Sequence, residues 1–443
     1  MNAPAVSAAR RREVIDALRR GTVPQAGLDL FAVGLDRFES AIDEELAAVA
    51  TGGAVFKAVR GEYGSGKTFF ARWLAERAKR RGFAVTEIQI SETETPLHRL
   101  ETVYRRLTER LSTSSHQASA LRDVVDGWFY TLEEDVLAAG DVRPDDMEAL
   151  ALATDDLMER RLARVARTTP AFAAALRAYR LSVLSGNATT AEGLIAWLGG
   201  QPNVSAAAKR AAGIKGDLDH FGALGFLQGL LTALRDSGHA GLLVTIDETE
   251  TLQRVRSDVR EKGLNALRQL LDEVDGGRFP GLYLMITGTP AFYDGQQGVQ
   301  RLAPLAQRLA TDFGDPRFDN PRAVQIRLGG FDIAKLITLG CTVRELYADG
   351  AANGERVRAI VSDGYVADLA EAVTGKLGGR AGIAPRLFLR KLVEQVLDRV
   401  DQFPDFDPRT HYALTLSSRE LTEVEQNAWQ QRAEDPGDVE LDL

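Results

Sequence analysis

Eight consecutive residues, Gly61-Glu62-Tyr63-Gly64-Ser65-Gly66-Lys67-Thr68, match the phosphate-binding loop pattern G-x-x-x-x-G-K-[ST] at every fixed position. Few short sequences constrain a fold so strongly. The glycines let successive backbone N–H groups curl round a phosphate, and the helix that follows points its positive end at it. The flanks agree: residues 54–59 read as a buried strand, and residues 69–78 as a helix ending near Gly82. In that context Lys67 would reach the β- and γ-phosphates, and the Thr68 hydroxyl would hold Mg²⁺. The expected nucleotide contacts are Gly61, Glu62, Tyr63, Gly64, Ser65, Gly66, Lys67, Thr68 and the adjoining Phe69. The bland alternative, a glycine-rich turn before an ordinary helix, explains none of the agreement between strand, loop and helix.

A chain of 443 residues holds two or three domains, and 44% hydrophobic with 26% charged residues is ordinary for a globular protein. The net charge of −9 argues against a generally basic nucleic-acid surface, although local arginine clusters still can contact phosphates. A single cysteine, Cys341, excludes an internal disulfide and suits a reducing cytoplasm. No signal peptide opens the sequence, and no apolar run approaches membrane-spanning length, so a cytoplasmic protein is expected, with no membrane partner. Five histidines without metal-ligand spacing argue against a zinc centre.

Residues 9–20 pattern as an amphipathic helix with Val14, Ile15 and Leu18 on one side and arginines on the other. Those arginines are either a solvated face or a grip on DNA or an acidic partner. After the breaker Gly21-Thr22-Val23-Pro24, an apolar-Gly-x-x-Arg turn at Val33 and Gly34 opens a helix over 38–46. This turn resembles the adenine-side segment of AAA+ and origin-recognition-like ATPases; a plain helix start is the alternative. Residues 83–90 have strand composition, so the β-α-β order predicts a parallel sheet with helices on both faces. From about 97 to 236 the pattern is helical throughout, an insertion in the nucleotide-binding core. Thr189-Thr190-Ala191-Glu192 fits a capping box within it, and Trp128, Phe129, Tyr179 and Trp197 fall on apolar faces.

The sheet resumes at Gly241-Leu242-Leu243-Val244-Thr245-Ile246-Asp247-Glu248, an apolar run ending in two carboxylates. This is the Walker B arrangement. Asp247 would hold the Mg²⁺ shell, and Glu248 would orient and deprotonate the attacking water. Glu250, two residues on, reads as structural. A helix over 259–274 leads to a strand over 281–290, where Thr287 or Thr289 is placed either to sense a γ-phosphate or to cap the next turn. Four arginines follow: Arg301, Arg308, Arg317 and Arg322. Any of them could reach a neighbouring subunit's site. Arg308, near the end of a helix expected over 299–310, is the choice; a surface ion pair is the alternative for each. Beyond Phe331 the chain is mainly helical. Arg386, opening a helix over 387–400, could reach a phosphate from this lid, and residues 434–443 read as a disordered acidic tail.

With these residues assembled, the chain resembles the P-loop ATP-binding family of bacterial BREX-type phage-defence clusters, the BrxD-like proteins. The resemblance rests on four stretches: Leu18-Arg19-Arg20-Gly21-Thr22-Val23-Pro24, Arg60 through Phe70, Thr95-Pro96-Leu97-His98-Arg99-Leu100-Glu101, and the Walker B strand. It implies an ATPase serving a multi-protein defence system beside a helicase or methyltransferase. The expected architecture is an α/β P-loop NTPase, AAA+-like, with a parallel sheet, a large helical insertion and a mainly helical C-terminal lid. Its expected parts are an N-terminal helical arm (1–30), the ATPase core (31–330) and a helical or winged-helix-like lid with the acidic tail (331–443). The expected activity is Mg²⁺-dependent ATP hydrolysis by a homo-oligomer that remodels a DNA-associated complex. DNA contact is either direct, through Arg99, Arg105, Arg106 and Arg110, or delegated to partners. A slow nucleotide-dependent switch is the alternative, and a small-molecule kinase a weaker one because no acceptor pocket is visible.

Overall fold

The computed structural model describes residues 6–379, 382, 384–422, 425–427, 429 and 430; the acidic tail lies outside the described residues. The chain opens with α1 (Ala8–Arg19) and α2 (Asp36–Ala50), followed by β1 (Val55–Arg60), α3 (Lys67–Arg80) and β2 (Ala84–Gln89). Helices then run uninterrupted by a strand: α4 (Leu100–Glu109), α5 (Leu121–Ala139), α6 (Met147–Thr168), α7 (Pro170–Leu184), α8 (Ala188–Leu198), α9 (Ala206–Ala211) and α10 (His220–Asp236). The sheet returns with β3 (Leu242–Asp247), α11 (Ser257–Asp275), β4 (Leu282–Gly288), α12 (Pro290–Asp294), α13 (Ala303–Leu309) and β5 (Gln325–Arg327). The C-terminal part carries α14 (Ile333–Ala348), α15 (Gly354–Ile360), α16 (Asp363–Lys376) and α17 (Pro385–Arg390), which continues through a π-helical stretch (Lys391–Leu397) into α18 (Asp398–Gln402).

All five strands are parallel in the order β2-β3-β4-β1-β5. The fold is the expected α/β P-loop architecture, with the helical insertion between β2 and β3. Every residue of β3 and β4 is buried, as strands covered on both faces require. Alternation sorts their side chains between two cores. Val59, Val85, Leu243, Tyr283, Met285 and Ile326 pack against α2 and α3. Phe56, Ala58, Ile88, Val244, Ile246, Leu284 and Ile286 face the insertion and α11. Trp128, Phe129, Tyr179 and Trp197 are buried in that second core, as their apolar faces predict.

A third core joins α1 to the C-terminal helices: Val14, Ile15 and Leu18 pack with Leu336, Val343, Leu387 and Phe388. Polar contacts reinforce it. Arg19 pairs with Asp398, which also accepts the Tyr347 hydroxyl at 2.9 Å. Glu76 of α3 takes Arg10 together with the backbone N–H groups of Gly27 and Leu28, tying the N-terminal segment to the phosphate-loop helix.

Two local readings change. The N-cap of α8 is Asn187, whose side chain accepts the Thr190 N–H at 3.1 Å, so the cap lies ahead of the expected box. The helix expected over 299–310 is a 3₁₀ turn (Val299–Arg301) followed by α13, because Pro304 allows a new helix start and removes an interior donor.

Candidate functional site

The strand register creates the site. Pairing of Val59 with Thr287, Arg60 with Gly288 and Gln89 with Asp247 aligns the C-terminal ends of β1, β4, β3 and β2. Ligands of open parallel sheets bind at such an edge. The loop after β1 crosses it, held by Gly61 N–H donating to the Gly288 carbonyl and Ser65 N–H to the Glu62 carbonyl. Gly64 and Gly66 have φ of 79° and 90°, left-handed values that favour glycine. Gly61 is required by space, since a Cβ there would lie 2.2 Å from the buried Ser65 Oγ. Helix α3 then begins at Lys67 with no side-chain cap and no acid in its first turn. An N-terminus left this way suits an anion.

Lys67 is almost buried, and its ammonium donates to the carbonyls of Gly61 (2.9 Å) and Glu62 (3.2 Å). The Tyr63 ring, half-exposed, lies 5.2 Å from Nζ, and its hydroxyl accepts from Arg254 at 3.4 Å. Burial pushes the Lys67 pKa down, while the carboxylates of Glu250, Asp247 and Glu62 oppose that shift.

Across the edge, Thr68 Oγ1 donates to Asp247 Oδ2 at 3.0 Å. Asp247 Oδ1 accepts the Thr287 hydroxyl and, at 3.0 Å, the Glu248 N–H. Thr68 and Asp247 thus set two hard oxygens side by side. Mg²⁺ commonly takes one or two protein oxygens and completes its octahedron with phosphates and water, so this pair fits the ion. Among the described residues no group of three or more His, Cys, Asp or Glu forms a metal cluster. Glu248 sits at φ 59°, an uncommon left-handed conformation for a non-glycine residue, and its exposed carboxylate accepts from Gln89 Nε2 at 2.7 Å. The turn after it is anchored by buried Arg260, which donates to the carbonyls of Leu252, Gln253 and Val255.

With this geometry in place, the chain matches, over residues 6–416, the family described as BREX system ATP-binding protein BrxC/D. The chain belongs to this family. It is therefore an ATP-binding protein of a BREX defence system. No curated protein matches it. Among the described residues, no helix is long and apolar enough to cross a membrane.

In this BrxC/D member the structure brings Gly61 through Thr68, Asp247, Glu248 and Thr287 into one edge. Thr287 is fully buried and holds Asp247; Thr289 is the N-cap of α12 without a side-chain cap bond. Val33 and Phe69 pack against the C-terminal core, with the Phe31 and Phe69 rings edge-on at 5.2 Å; Gly34 beside them has φ 76°. Arg308 is elsewhere, paired with Asp272 and Asp275 of α11. Arg386 is engaged by Glu425 and the Glu420 carbonyl. On α4, Arg105 and Arg106 pair with Glu109, and Arg110, the residue that caps the helix's C-terminal end, donates to the Glu87 carbonyl.

Sequence reasoning missed two contacts. Gln89 ends β2 directly beside Asp247, a placement that a polar strand end adjoining the Walker B strand could have suggested. Glu250, read as structural, comes within 3.9 Å of Lys67. Only the 3₁₀ turn over Thr249–Gln253 folds it back under the loop, and no spacing rule announces that turn.

Proposed function

We propose that the chain hydrolyses ATP with Mg²⁺ and uses the cycle to assemble or remodel a DNA-associated BREX complex. The observation that carries this reading is the Thr68–Asp247–Thr287 chain of hydrogen bonds, with Glu248 presented beside it. Bound Mg²⁺ would offset charge on the transferred phosphoryl group. Thr68 and Asp247 would hold that ion, and Thr287, which donates to Asp247, would fix the carboxylate that does so. Lys67 turns from the loop carbonyls to the β- and γ-phosphates, while Glu248 directs water and accepts its proton. Val33 and Gly34 flank the adenine side. Such catalysis is positioning and electrostatics rather than covalent chemistry.

The proposed assembly is a homo-oligomer in which Arg308 leaves Asp272 and Asp275 to reach a neighbouring site, and Arg386 closes from the C-terminal lid. Other BREX subunits, a helicase or methyltransferase, are the expected partners, with DNA contacted directly or through them. The Gln89–Glu248 hydrogen bond favours a second reading, a slow switch that recruits a partner, because a carboxylate oxygen held by Gln89 has to give up that contact before it directs water. Mg²⁺-dependent ATP hydrolysis across a range of protein concentrations, with and without duplex DNA, separates the two. The remodelling reading expects turnover per subunit to rise with concentration and to vanish in Glu248→Gln and Arg308→Ala. Tight binding with negligible turnover in every condition leaves the switch.

A further inference from the structure

Glu250 has no part in the hydrolytic scheme, yet it is one of the most constrained carboxylates in the molecule. It is 5% exposed; its Oε1 lies 3.9 Å from Lys67 Nζ, and its Oε2 is buried without a hydrogen-bond partner. A buried carboxylate normally collects hydrogen bonds or a tight ion pair, because desolvation penalises its charge severely. Here the cation paired with it is the ammonium that the nucleotide also needs, 3.9 Å away. Lysine has three donors. Two go to Gly61 and Glu62 carbonyls, leaving the third direction to Glu250.

We propose that Glu250 is a positioning residue that competes with the nucleotide phosphates for Lys67, keeping affinity moderate and speeding nucleotide release. When phosphate oxygens take the ammonium, the carboxylate loses its counter-ion while still buried and also faces new negative charge. Both effects push the equilibrium back toward the empty loop. Burial raises the Glu250 pKa, and Lys67, ahead of the residue's own backbone N–H, opposes that rise. The competition acts hardest on the diphosphate. After the γ-phosphate is gone, Lys67 has fewer phosphate oxygens to hold it and Glu250 regains it more readily. The inference rests on nucleotide binding alone, so it stands or falls separately from hydrolysis.

The test uses the full chain with Glu250→Gln, which keeps shape and removes charge. Binding and stopped-flow release of a fluorescent ADP, and binding of a non-hydrolysed ATP analogue, are measured in Mg²⁺ buffer. The expected result is about tenfold tighter ADP binding, carried mainly by slower release, with a smaller gain for the ATP analogue. A residue that merely supports the fold would give the opposite sign, weaker binding with a lowered melting temperature. Unchanged or weaker binding by a variant that melts like the parent overturns the proposal. Should Glu250→Gln not fold, Glu250→Asp carries the same test: withdrawing the carboxylate by one methylene should tighten ADP binding by a smaller factor, and no tightening there overturns it equally.

Discussion

The hydroxyl of Thr68 donates to Asp247 Oδ2 at 3.0 Å, although 179 positions separate the two residues. The long helical insertion leaves β2 and returns to the neighbouring strand β3, so its length does not disturb the contact. The other oxygen of Asp247 is held by Thr287.

That second contact yields the first prediction. Thr287→Val keeps the shape of the buried side chain but leaves Asp247 Oδ1 with the Glu248 N–H as its remaining donor. Turnover should fall about tenfold or more, with nucleotide affinity changed by less than about twofold. Thr287→Ser, which restores the donor, should recover most of the loss. Steady-state hydrolysis alongside equilibrium binding separates the two quantities.

Gly61→Ala places a methyl group 2.2 Å from Ser65 Oγ and 3.4 Å from Leu328 Cβ. The loop must shift, and nucleotide affinity should drop by about tenfold. Adding Ser65→Ala removes the first collision and should return most of the affinity. Isothermal titration with ATP analogue reads both variants.

Lys57 is a buried cation in β1, paired with Glu45 at 2.5 Å and donating to the carbonyls of Ala323 (2.8 Å) and Pro321 (3.3 Å). Tyr283 donates to the other Glu45 oxygen. Lys57→Met strands that carboxylate and should cost about 3 kcal/mol or more in denaturant unfolding. Lys57→Met with Glu45→Gln should cost less than Lys57→Met alone.

His239 lies just ahead of β3, and burial lowers its pKa below the ordinary 6.5, against a raising contribution from the Gly82 backbone. The unfolded chain therefore takes up this proton at higher pH than the folded one. The stability it contributes is present above 6.5 and is lost as pH falls through the folded value. His239→Gln should flatten melting temperature against pH over that window, and an unaltered slope would assign the acid sensitivity to another group.

The phosphate loop, the Walker B strand and the helical run between them were legible because each is a local pattern. Glycine spacing permits the loop backbone, continuous apolar runs mark strands buried on both faces, and helical periodicity marks the insertion. Asp247 and Thr68 could be named separately for the same reason. Their contact, and the hold of Thr287 on Asp247, depend on β3 lying beside β4 and β4 beside β1, an order set by how the helices cover the two faces. The contacts of Gln89 and Glu250 escaped reading because neither residue carries a motif. One is aligned with Asp247 by inter-strand register, the other turned under Lys67 by a 3₁₀ turn that Arg260 anchors. Local sequence thus determined which chemistry is present. Tertiary packing decided which charge sits beside which, because in a low-dielectric pocket a few ångströms of placement set how strongly a carboxylate interacts with each neighbouring donor and cation.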